Sequence, residues 1–171
     1  MKTLFLLRHA RAENAATGLS DLDRALAERG KAEAQAIGRL LKQETVKLDF
    51  VLCSTAKRAR ETAELVLAAA ELTRSVRYDE RIYEASPFQL LEVISEINAD
   101  ASVVLAVGHN PGIAELLELI TDRAEPMATC TLAKIDLDAR EWSRIREIKA
   151  TLDWIVKPEP AAARPLGRDT K

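Results

Sequence analysis

Histidine is scarce in this chain of 171 residues, which holds two, His9 and His109. That scarcity limits any histidine-based metal site to two imidazoles and makes the setting of each one informative. Cysteine is equally rare. Cys53 and Cys130 lie far apart without Cys-x-x-Cys spacing, which excludes a disulfide framework and a zinc ribbon and leaves two reduced, buried thiols. No charge of one sign predominates: 25 basic residues face 27 acidic ones for a net charge of −2, which speaks against nucleic acid or another polyanion as partner. A small cationic pocket is compatible with that balance, because net charge averages over a surface whereas a site is a cluster of a few residues. Long apolar runs are missing as well. Leu4-Phe5-Leu6-Leu7 meets charge at Arg8, a run too short for a signal peptide or a membrane span, so a cytoplasmic protein with no membrane partner is expected.

What is present is an ordinary globular composition, 47 % apolar and 30 % charged, in a length that suits one domain of the usual size of about 100 to 150 residues. Short apolar runs alternate with longer segments of helical spacing, the pattern of an α/β fold built on a mostly parallel sheet, here read as a three-layer α/β/α sandwich. Strands are expected at residues 4–7, 50–53, 76–78 and 103–107, and helices at 24–42, 57–70 and 88–97. A fourth helix is expected through about Ile120, with Asn110 as its N-cap and Pro111 at its first position. Gly30 interrupts the first turns of the first helix and leaves its start open. Residues 129–136 and 143–148 read as two strands paired at an edge around a turn near Asp138 to Glu141. The single domain spans 1–156. A tail at 157–171, with Pro158, Pro160 and Pro165 and few large apolar residues, reads as disordered. There is no internal repeat.

In an open parallel sheet, ligands gather at the carboxyl ends of the strands. The first strand ends in Arg8-His9, the second runs into Ser54-Thr55-Ala56-Lys57-Arg58, and the fourth ends in Gly108-His109-Asn110. Both histidines therefore stand at strand ends, and Arg8 and Arg58 join them. Arginine presents a permanently charged fork suited to phosphate oxygens, while histidine serves as nucleophile or proton donor near neutral pH. Together they describe phosphoryl chemistry, in which nearby guanidinium groups would keep His9 neutral and nucleophilic. Lys57 and Arg60 read as solvated helix charges. A cysteine mechanism is disfavoured: Cys53 and Arg58 miss the Cys-x5-Arg spacing by one residue, with no glycine between them.

Leu6-Leu7-Arg8-His9-Ala10 resembles the Arg-His-Gly motif of the histidine phosphatase superfamily in an Arg-His-Ala form. Ser54 to Ala63 resembles its second-arginine motif, Ser-x-x-x-Arg-Ala-x-x-Thr-Ala, and Val107 to Gly112 its second-histidine motif. The resemblance runs from residue 3 to about residue 137 and is nearest to the SixA-like phosphohistidine phosphatase branch. It implies a phosphoglycerate mutase-like fold in which His9 attacks phosphorus and Arg8, Arg58 and His109 surround the phosphoryl group, with no metal or cofactor. Asp79 to Glu84 is similar to the segment that carries a leaving-group acid, which makes Glu84 the candidate, although this branch often lacks one. Asp21, Asp23 and Arg24 resemble a Ser-Asp-x-Asp-Arg stretch that would frame the pocket mouth; read as residues alone, the two aspartates shape a turn and cap the following helix. Arg11 and Asn14 share the loop of His9 and are candidate substrate contacts. The connection from Ala63 to Val103 leaves little room for a closing segment, so an open, shallow site is expected. Such a site suits a phosphorylated protein, for example a histidine phosphotransfer protein, or a range of small phosphoesters. A non-catalytic phosphate-binding module on the same fold is the alternative of another kind.

Overall fold

The computed structural model describes residues 1–158. All but the first two residues of the expected tail lie outside them. Ten regular elements follow in chain order: β1 (Lys2–Arg8), α1 (Glu28–Gln43), β2 (Phe50–Ser54), α2 (Lys57–Ala69), β3 (Val76–Asp79), α3 (Pro87–Ser95), β4 (Val103–Gly108), α4 (Gly112–Thr121), β5 (Leu132–Leu137) and β6 (Thr151–Val156). The strands form one sheet in the order β3-β2-β4-β1-β5-β6. Pairings among β1, β2, β3 and β4 are parallel, and β5 and β6 add an antiparallel edge.

The apolar run of β1 is a consequence of burial on both faces. Leu4 and Leu6 enter the core beneath α3 and α4, while Phe5 and Leu7, pointing the other way, enter the core beneath α1 and α2. Two cores on opposite faces of one sheet make the three layers expected from the sequence. Among the described residues, no helix is long and apolar enough to cross a membrane.

Three local expectations are corrected. Residues 143–148 do not form a strand: a helical turn at Trp142–Arg144 stands there, because Trp142 and Ile145, three apart, are both buried and the Trp142 indole donates to the Ala101 carbonyl at 2.7 Å. The edge partner of β5 is Thr151–Val156 instead. Asn110 does not cap α4, whose N-cap is Pro111; its Nδ2 donates to the Met127 carbonyl at 2.8 Å. The first helix starts at Glu28 rather than Arg24, since Ala12 bridges Leu26 and the Leu26 amide donates to Glu61 at 2.7 Å.

Gly30 in α1 has a specific reason. A Cβ there would stand 2.0 Å from the Arg11 carbonyl oxygen, so a side chain is excluded by the loop that follows His9. Alanine in a helix interior ordinarily gains about 1 kcal/mol over glycine. Here the clash with backbone outweighs that gain, and Gly30→Ala is expected to destabilise the fold by about 1–3 kcal/mol, read as a lower urea midpoint with unchanged slope.

Candidate active site

The neighbouring order β2-β4-β1 places three strand ends side by side. Arg8 lies in register with Gly108, and Cys53 with Val107, so Arg8-His9, His109 and Ser54 emerge at one edge of the sheet. The backbone about His9 is pinned from both sides: its amide donates to Gly108 O at 3.0 Å and its carbonyl accepts from Cys130 N at 3.1 Å. Thr62 of α2 completes the attachment. Its hydroxyl accepts the Ala10 amide at 3.0 Å and donates to the Arg58 carbonyl at 2.6 Å, tying the His9 loop to the helix turn that carries Arg58.

His9 is 8 % exposed and its Nδ1 lies 2.8 Å from the Ala10 carbonyl oxygen. A carbonyl only accepts, so Nδ1 carries the proton and the lone pair stays on Nε2. The ring of His109 faces it with centroids 5.0 Å apart. Burial, then the charges of Arg58 and Arg8, hold the His9 imidazole at a pKa of about 4 against the opposing Ala10 hydrogen bond. Burial and the neighbouring charges hold His109 at about 3. Both rings are neutral at pH 7.

Ser54 fixes the second ring. Its fully buried hydroxyl accepts the Ala56 amide at 3.3 Å and lies 2.8 Å from His109 Nε2. The buried hydroxyl proton has no other acceptor among the described residues, so it goes to Nε2, which assigns the ring proton to Nδ1. That Nδ1 is buried and has no partner among the described residues, and the same holds for Arg8 Nε and Arg58 Nε. Three of the five buried side-chain atoms in that condition thus belong to the residues around His9, and all three are donors. An unsatisfied buried donor costs about 1–3 kcal/mol. An anion with several acceptor oxygens would satisfy them at once.

Other arms of the two guanidinium groups are held by the protein. Arg8 Nη1 donates to the Met127 carbonyl at 3.0 Å. Arg58 donates to the Asp21 carbonyl at 2.6 Å and to its carboxylate at 2.8 Å. Asp21 also accepts from the Tyr83 hydroxyl at 2.8 Å and from Arg24 at 2.8 Å. Partial burial pushes the Asp21 carboxyl up, but Tyr83, Arg24 and Arg58 prevail and hold it at about 2. Tyr83 stands edge-on to His109, with centroids 5.5 Å apart.

The four residues Arg8, His9, Arg58 and His109 are thus brought together. Glu84, Arg11 and Asn14 are not brought into hydrogen bonds with them. Glu84 is exposed at φ 50°, and Asn14 is exposed. Arg11 has an exposed side chain and a backbone amide held by Glu33 at 3.2 Å. Cys53 is fully buried, and burial pushes its thiol far above the usual range, so it offers no thiolate. Sequence reasoning missed the contact of Asp21 with Arg58 and the placement of Tyr83. Ser54 was visible as the first residue of the second-arginine motif, without its role.

Two outcomes follow from this geometry. Ser54→Ala leaves the His109 tautomer unfixed, and imidazole nitrogen NMR is expected to show Nδ1 protonation diminished relative to the wild type, with Ser54→Thr restoring it. The second concerns stability against pH. Both histidines sit below the unfolded value of 6.5, so between about pH 6.5 and 4 the unfolded chain binds protons that the folded chain does not. Stability is therefore full above pH 6.5 and falls on acidification by up to about 1.4 kcal/mol per pH unit per histidine. Urea titrations of the wild type and a His9→Gln, His109→Gln variant measure this, the variant giving the flatter curve.

Comparison with known proteins agrees with the site. The model of the histidine phosphatase superfamily (branch 1) matches residues 4–127. A solved structure from Nakamurella multipartitia, assigned as the phosphohistidine phosphatase SixA, is 32 % identical with a TM-score of 0.81, covering 92 % of this chain and 96 % of that one. An uncharacterized protein of Mycobacterium tuberculosis is 39 % identical over 110 residues, 64 % of this chain and 66 % of its own length, so the match spans just under two thirds of that relative. A 2,3-bisphosphoglycerate-dependent phosphoglycerate mutase of Hamiltonella defensa is 37 % identical over 94 residues, 50 % of this chain and 37 % of the mutase. With the family model covering well over half of the chain, and with both motif histidines and both motif arginines at one sheet edge, the chain belongs to the histidine phosphatase superfamily, branch 1.

Proposed function

We propose that this chain hydrolyses protein phosphohistidine through a covalent intermediate on His9. The observation that carries the reading is the His9 lone pair: Nε2 is left unprotonated by the Nδ1 hydrogen bond to Ala10, in a residue close to Arg8, Arg58 and His109, each of which holds an unpartnered donor. In the first step His9 Nε2 forms a bond to phosphorus as the bond from phosphorus to the leaving nitrogen breaks, and the leaving imidazole takes its proton from solvent. Water then attacks the phosphorus of phospho-His9, releasing orthophosphate and restoring the neutral ring. The guanidinium groups and the His109 Nδ1–H meet the charge on the equatorial oxygens, where most of the catalysis of phosphoryl transfer arises. The cationic groups of the chain itself serve this purpose, so the reading assigns no metal.

The leaving group decides between phosphohistidine and an alkyl phosphate. Among the described residues, the carboxyl group hydrogen-bonded to the four is that of Asp21, held ionised and committed to Arg58. Glu84, the acid expected from the sequence, is exposed and free of hydrogen bonds and ion pairs among the described residues. An alkoxide leaves poorly without a general acid, whereas an imidazole leaves readily once protonated by water. The likeness to the Nakamurella SixA supports the same choice. A phosphorylated protein, such as a histidine phosphotransfer protein, is the proposed partner, in the cytoplasm, where the free buried thiols of Cys53 and Cys130 stay reduced.

Turnover of phosphoimidazole, a phosphohistidine peptide and glycerol phosphate tests the proposal. The nitrogen-linked substrates are expected to exceed the alkyl ester in kcat/KM by about 10²-fold or more, the usual worth of a missing general acid, and His9→Ala is expected to abolish turnover. A phosphoenzyme stable to base and labile to acid is expected on the wild type. Faster turnover of glycerol phosphate would transfer the reading to small phosphoesters. Phosphate binding without turnover of any of the three would leave a binding module.

A further inference from the structure

A groove begins beside the site, at Asn110 and Pro111. Its first hollow, about 340 Å³, is lined by Asn110 and Pro111, directly after His109, and by Ala114, Glu115 and Glu118 of α4. A second hollow of about 530 Å³ shares Glu115 and Glu118 and continues to Leu119, Asp122 and Phe88. The α4 residues fall at helical spacing and make up one outward face, so the two hollows, which share Glu115 and Glu118, adjoin as one furrow on that helix. Phe88 is 66 % exposed and Leu119 44 %, two large apolar side chains open to water in one cavity.

The charge of this furrow has one sign. Asp122 is paired with Lys149 and Glu125 with Arg123. Glu115 and Glu118 make no ion pair among the described residues, and they line both hollows. Neither the catalysis proposed above nor the packing of the core uses any of these side chains.

We propose that this furrow docks the polypeptide that carries the phosphorylated histidine, through a segment with basic side chains against Glu115 and Glu118 and an apolar side chain against Phe88 and Leu119. The inference rests on the phosphohistidine reading and adds to it the chemistry of the substrate flank. Continuity with the site selects this occupant: the first hollow is lined by Asn110, which follows His109 and shares the Met127 carbonyl with Arg8, so a segment lying there borders the site. Docking outside the pocket adds binding that small substrates do not share, and it appears in KM.

The test uses two synthetic peptides with one phosphohistidine, identical except for lysine and leucine or glutamate and leucine flanks, together with phosphoimidazole. The wild type is expected to prefer the lysine-flanked peptide by about tenfold in kcat/KM at low salt, carried by KM and reduced by added salt. In the Glu115→Lys, Glu118→Lys variant the preference is expected to vanish or invert, with phosphoimidazole turnover within about twofold of the wild type, which also reports intact folding. Phe88→Ser is expected to raise KM for both peptides and to leave phosphoimidazole unaffected. A wild type active on phosphoimidazole but indifferent to the flanks, or a variant that keeps the wild-type preference, overturns the docking furrow alone. A wild type inactive on phosphoimidazole and on both peptides overturns the phosphatase reading and the furrow with it.

Discussion

Arg8 and Arg58 carry permanent charges beside two buried imidazoles, and much of the surrounding structure answers to that arrangement. A guanidinium cannot shed its proton when desolvated, so its N–H groups must find acceptors or leave donors unsatisfied. The Met127 carbonyl takes one arm of Arg8, and Asp21 takes two arms of Arg58 by its carbonyl and its carboxylate. The imidazoles respond in the opposite way, staying neutral because burial and the two cations both disfavour a further positive charge. One ring is thereby left with a free lone pair and the other with a free N–H. The same electrostatic pressure produces a neutral acceptor and a neutral donor from two identical side chains, and the difference is set by what each ring's other nitrogen touches, the Ala10 carbonyl in one case and the Ser54 hydroxyl in the other.

How much of this was legible in the sequence depended on the range of the interaction responsible. The strand at Leu4 to Leu7 was legible because its burial on both faces leaves a continuous apolar run, and the neighbouring strand ends followed from the rule for parallel sheets. Arg8, His9, Arg58 and His109 were legible for the same reason, since each stands at or just beyond a strand end. Contacts between loops were not. Asp21 looks like a turn residue because it does occupy a helical turn, behind the cap formed by Ser20, and nothing local says that its carboxylate reaches 37 residues along the chain to Arg58. Tyr83 is placed by a turn at Glu80–Ile82, capped by Asp79, and no periodicity foretells where such a turn aims the next residue. The strand misread at residues 143–148 has a similar origin. Trp142 and Ile145 are apolar because they close the bottom of the core, and apolarity alone does not tell a strand from a helical turn. Gly30 was visible as an interruption but not as a point of contact, because the atom it yields to belongs to Arg11.

As proposed, the furrow along α4 and the site about His9 divide the work in a way that the chemistry demands. Every phosphoryl group presents the same charged oxygens to Arg8, Arg58 and His109, so the pocket stabilises transfer without distinguishing where the group came from. Discrimination must then arise from the leaving group and from whatever flanks it. In the proposed reading the first is decided inside the site, by the engagement of Asp21 with Arg58 and the solvent exposure of Glu84, and favours nitrogen over alkyl oxygen. The second falls to side chains that hold no internal partner, and in the described residues Glu115, Glu118, Phe88 and Leu119 gather such chains beside the pocket. Binding energy gained there is present in the ground state as well as in the transition state, so it selects among proteins through KM while the rate of the chemical step stays with the four residues at the sheet edge.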